Sequence, residues 1–218
     1  MALRARSLPA DQTLATGRTE GKRDPGALGN ERLTAMAGAV LFVLLAAEGV
    51  TILQVRQLFT LHAFIGVMLV GPLSVKLGST GYRFFRYYSG SPGYRKKGPP
   101  QPLLRALAPV LVVSTLAVVG TGIALLIVGP AARGSLIEWH KASFYVWFAV
   151  TTVHVVFYIW RVPGLLREEW TKPHRPRLAG AQKRLAIAGA GIGAGVVAGI
   201  VALPAIATWS SWFSNFRR

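Results

Sequence analysis

LIEWHKASFYVWFAVTTVHVVFYIW, residues 136–160, carries its only charges, Glu138 and Lys141, close to its start. As a helix rising 1.5 Å per residue it reaches about 37 Å, enough to cross a hydrocarbon core of about 30 Å. Working outward, four more apolar blocks of similar length lie at roughly 33–54, 58–79, 106–130 and 185–208. A soluble domain would spread its apolar residues through short amphipathic elements, whereas here they come in blocks. The pattern predicts an all-α integral membrane protein, a five-span helical bundle.

The charge supports the same reading. The 218 residues carry a formal net charge of +17, and 19 of the 25 basic residues fall in three segments: the N-terminal tail, 80–105 and 161–184. Lysine and arginine accumulate in loops that stay on the cytoplasmic side. Localisation in the plasma membrane follows, with the N-terminus cytoplasmic and the C-terminus outside. Residues 1–31 are expected to be a disordered basic cytoplasmic tail. Residues 32–165 would form a four-span bundle, 166–184 a basic cytoplasmic loop, and 185–218 a fifth transmembrane helix with an outer tail. Basic residues that alternate with spans, instead of forming one face, exclude nucleic acid as the partner and favour anionic lipids. With no cysteine in the chain, disulfides, iron–sulfur clusters and thiolate haem ligation from its own residues are excluded.

Within the spans, polar residues are few and each calls for a reason. The first span has one acid, Glu48, expected either to snorkel outward or to meet a cofactor edge. Only Val55–Gln57 separate it from the second span, which forces an antiparallel pair. The second span holds His62, Gly66 one turn deeper, Pro72 as a predicted kink, and Lys76, whose stem is expected to snorkel toward the inner interface. Gly191, Gly195 and Gly199 repeat at four-residue spacing on the fifth span, a face for close packing inside the bundle or for a homo-oligomer.

His62 and His140 each stand about five residues inside a span, and both spans run in the same direction, so the imidazoles are level near the outer face. His154 follows His140 by 14 positions, which puts it on nearly the same face about 21 Å deeper. Two level imidazoles on separate helices suit the axial ligation of one haem b, with Gly66 leaving room for the porphyrin. His62 and His140 are therefore the expected metal ligands, and His154 and Gly66 further cofactor-binding candidates. Taken alone, His154 reads equally as a packing residue bonded to Thr151 or Ser114. Lys141 and Arg56 are candidate partners for haem propionates.

The run WHKASFYVWFAVTTVH, with a histidine early on the second span, resembles membrane cytochromes b of the four-helix type. Among these it is similar to the cytochrome b subunit of formate dehydrogenases and to related hydrogenase and thiosulfate-reductase anchors. The run LHAFIGVMLVGPLSVKLGSTGYRFFRYYSG followed by GPP looks like a group of actinobacterial cytochrome b-like membrane proteins. The resemblance covers roughly 33–165 and implies a cytochrome b-like four-helix core. It implies one haem between the positions of His62 and His140. A second haem would join the position of His154 to a histidine on the first span, where this chain has none. It further implies an electron-transfer subunit with no catalytic residues of its own, serving a partner oxidoreductase, molybdopterin-dependent by the analogy, with quinone as an exchange partner. The alternatives are a cofactor-free membrane scaffold and a histidine-lined transporter.

Overall fold

The computed structural model describes residues 24–96, 98, 102–170 and 180–215. Every regular element among them is helical. Five helices are long and apolar enough to cross a membrane: Pro25–Leu53, Phe59–Tyr88, Pro102–Val128, Leu136–Arg167 and Ala181–Val201.

Helix α1 (Pro25–Leu53) begins where Asp24 caps it, its Oδ1 accepting the Ala27 N–H at 2.9 Å with proline at the first helical position. The helix thus starts inside the segment expected to be a disordered tail. The remainder of that tail, 1–23, lies outside the described residues. After a tight turn over 54–58, α2 (Phe59–Met68) and α3 (Val70–Tyr88) form one long rod broken at Leu69. Pro72 has no N–H for the Met68 carbonyl, so the break falls next to Met68, three residues ahead of the proline. A one-turn helix, α4 (Pro92–Arg95), folds back on α1, and its buried Tyr94 donates to the Gly26 carbonyl at 3.4 Å.

Helices α5 (Pro102–Val128) and α6 (Leu136–Tyr158) make an antiparallel hairpin, and a 3₁₀ turn leads into α7 (Val162–Trp170), which leans on α1. Helix α8 (Ala181–Val201) lies along α2 and α3. The glycine face accounts for that contact. A Cβ at Gly71 would strike the Gly191 carbonyl and stand 2.6 Å from Gly195 N, one at Gly195 would strike the Met68 carbonyl, and one at Gly199 would meet Phe64 at 2.8 Å. The carbonyl freed by Pro72 is therefore the one on which Gly195 rests. Gly191, Gly195 and Gly199 are buried within the chain. Of the two uses expected for this face, packing inside the bundle is the one the fold displays.

The fifth span also ends earlier than expected. A break at Ala202 with Pro204 behind it starts α9 (Leu203–Asn215), which crosses to α2 and α5. Trp209 is 3% exposed, stacks near Phe59 and donates Nε1–H to the Leu125 carbonyl at 3.0 Å, while Ser210 meets Thr60 at 2.8 Å. Residues expected to be an outer tail thus form a helix over the ends of α2 and α5.

The core lies among α1, α2, α3 and α8. Helix α6 packs closely on α5 and on no other long helix, and no residue of it is buried. Helix α6 therefore stands apart from α1, α2 and α3, and the space between them is called the cleft.

Candidate functional site

Two side chains project into this cleft at the end where α1 turns into α2. His62 enters from the first turn of α2 and His140 from the second turn of α6. The two rings lie within electrostatic range of each other, so the fold brings both residues to the same end of the bundle.

Each ring is held by its Nδ1. His62 Nδ1 lies 2.9 Å from Glu48 Oε1 and 3.2 Å from Thr51 Oγ1, both on α1. The Thr51 hydroxyl is directed at the Glu48 carbonyl (2.6 Å) and Oε2 (3.2 Å), so its oxygen is left to accept. Nδ1 of His62 therefore carries the proton. On the other side, His140 Nδ1 lies 3.0 Å from Thr121 Oγ1 on α5, whose own hydroxyl donates to the Ala117 carbonyl at 2.7 Å. Nδ1 of His140 is again the donor. Both tautomers leave Nε2 with its lone pair, the form that binds a metal. No hydrogen bond among the described residues engages His62 Nε2, and the His140 ring also meets the Val118 backbone carbonyl.

Two glycines shape the site. A Cβ on Gly122 would come within 3.1 Å of His140 Cε1, so the missing side chain lets the imidazole lie flat on α5. Gly66, expected to clear a porphyrin, lies beside Glu48 Oε1, which would be in ordinary contact, at 3.4 Å, with a Cβ placed there. Glu48 does not snorkel: it is 8% exposed and turned inward.

At the other end of the cleft, Lys76 likewise departs from expectation. Its Nζ does not reach for an interface but points into the bundle, donating to the Thr34 carbonyl at 2.9 Å over Gly38, where a Cβ would meet it at 2.9 Å. Thr34 and Ser79 bond each other at 2.8 Å beside it, and Asn30 donates to the Ser79 carbonyl at 3.0 Å. His154 faces this lysine within electrostatic range and stacks on Tyr158 with centroids 4.8 Å apart. It bonds neither of the hydroxyls considered for it. Ser114 is turned to the Leu111 carbonyl at 3.2 Å, and Thr151 Oγ1 is buried with no partner. Lys141 pairs with Glu138 at 3.2 Å on the exposed side of α6.

Of the ring-holding residues, Thr51 and Thr121 are absent from the sequence-derived site, whereas Glu48, the one acid of the first span, was marked there as able to meet a cofactor edge. Among the described residues no group of three or more His, Asp or Glu side chains converges on one point. Compared with family models, with curated proteins and with solved structures, the chain matches none.

Proposed function

We propose that the chain is a membrane-embedded electron-transfer protein holding one b-type haem between His62 and His140. The observation that carries this is the pair of imidazoles that α2 and α6 bring within electrostatic range, each held at Nδ1 by an outer partner. A porphyrin supplies four equatorial nitrogens and asks the protein for two axial ones, which is what this cleft offers. A free metal ion bound by protein alone takes three or four ligands, more than converge here. The unburied inward side of α6 is consistent with a face that a flat apolar group completes. Glu48, Thr51 and Thr121 fix the tautomer and angle of the rings, the role that outer partners of metal-binding histidines serve.

When bound, the haem supplies a one-electron redox change, and two imidazoles saturating the iron favour outer-sphere transfer over oxygen activation. The chain contributes orientation and a low-dielectric shell. By the distribution of basic residues, the His62 end lies toward the outer face of the plasma membrane and the N-terminus is cytoplasmic. That end would exchange electrons with a peripheral oxidoreductase, molybdopterin-dependent by analogy with the family the sequence resembles. A quinone would be served from the deeper part of the cleft.

The test is an absorption spectrum of detergent-purified protein expressed with ample haem supply, with and without dithionite. A sharp reduced α-band is expected from the wild type, lost in His62→Ala and in His140→Ala and kept in His154→Ala. A colourless wild type would identify a cofactor-free scaffold instead.

A further inference from the structure

We infer that Glu48, from a helix that supplies no ligand, lowers the electron affinity of the iron by making the two axial histidines electrically unequal. This rests on the haem reading above and adds a role that the ligand pair does not imply.

The two rings are held in the same manner by different chemistry. His140 donates to a hydroxyl, which is neutral and whose proton is committed to the Ala117 carbonyl. His62 donates to a carboxylate at 2.9 Å that is only 8% exposed. Among the described residues no lysine or arginine forms an ion pair with Glu48, and its partners are the His62 ring and the Thr51 hydroxyl. A carboxylate withdrawn from water in this way is costly unless a positive charge stands near it. With two neutral imidazoles, a ferric iron–porphyrin core is positive and a ferrous one is neutral. Glu48 therefore finds its counter-charge only in the oxidised state. The same hydrogen bond makes the His62 imidazole more basic, which also favours ferric iron. Both effects have one sign: they resist reduction.

Glu48 is a tuning and positioning residue here, since it touches a ligand and not the iron.

The experiment is a spectroelectrochemical titration of the haem-loaded full chain at one fixed pH, with electron paramagnetic resonance of the ferric state. Glu48→Gln keeps the hydrogen-bond acceptor and removes the charge. It should raise the ferrous-to-ferric ratio at a given solution potential at least tenfold, an upward shift of about 59 mV for one electron, and change the ferric g values. Glu48→Asp keeps the charge and should fall between the two. Thr51→Val keeps Glu48 charged while removing a hydrogen bond to it, so it should lower the ferrous-to-ferric ratio, and it carries the test if Glu48→Gln does not retain haem. An unchanged or lowered ferrous fraction in Glu48→Gln would overturn the inference, as would an unchanged or raised one in Thr51→Val. Wild-type protein with no haem would overturn the ligation itself, an outcome visible before any titration.

Discussion

Gly195→Ala should loosen the backing of α2 and α3 by α8, and its size follows from what the new methyl would meet. The Cβ would overlap the Met68 carbonyl oxygen, with the carbonyl carbon 3.1 Å away and Met68 Cγ at 3.4 Å. The first two are backbone atoms, which no rotamer change can move aside. Helix α8 must retreat, and overpacking of this kind costs about 1–3 kcal/mol. Against this stands the helix-propensity gain of alanine over glycine, up to about 1 kcal/mol. The net expectation is a loss of up to about 2 kcal/mol. Gly193 and Gly189 sit on the same helix with nothing within 4 Å of a Cβ, so Gly193→Ala and Gly189→Ala isolate the propensity term and should be neutral or mildly stabilising. Reversible unfolding in mixed detergent micelles, followed by near-ultraviolet circular dichroism, reads the differences. A Gly195→Ala protein as stable as Gly193→Ala would refute the close packing of α8 on the Pro72 break.

Thr121→Val leaves the His140 Nδ1–H without an acceptor. Loss of one such outer partner typically costs 10- to 100-fold in metal-site affinity, so haem content on purification should fall while Thr121→Ser retains it, as read by pyridine haemochrome assay. Lys76→Met keeps the stem and removes a desolvated ammonium whose hydrogen bond is to a backbone carbonyl. Since the burial penalty of an ion is several kcal/mol, the unfolding midpoint should rise, and a clear fall would show that the Thr34 contact holds α1 to α3. In the α4 segment, burial pushes the Tyr94 phenol up, with the neighbouring Tyr82 adding to the shift. A raised folded value means stability present below the ordinary tyrosine range and lost as pH climbs through it. Alkaline release of α4 from α1, followed by proteolysis of the 89–101 loop, should therefore disappear in Tyr94→Phe.

The long helices and their antiparallel turns were legible because each depends on spacing along one segment. Residues 136–160 announce a span, and the early positions of His62 in 58–79 and His140 in 136–160 put both at one end of the bundle. What depended on two segments at once was not legible. Lys76 looks like an interfacial residue by position, and only Gly38 on α1 opens the space that lets it turn inward. Glu48 was singled out, yet its direction is decided by His62 on another helix as well as by Thr51 one turn along its own. Hydropathy runs on without interruption from 185 to 208, and Pro204 is a weak local sign that the helix breaks. The docking of α9 comes from Trp209 and Phe213 meeting Phe59, residues some 150 positions away. The glycine face was recognised, but a four-residue spacing does not say which helix lies against it.

An experimental density map of the haem-supplied protein in nanodiscs tests the haem site at its centre. The expected result is a porphyrin in the cleft between α2 and α6, its iron bonded to Nε2 of both His62 and His140, with Glu48 against one ring and Thr121 against the other. A map in which those two rings face each other across lipid or protein, with no macrocycle between them, would contradict it.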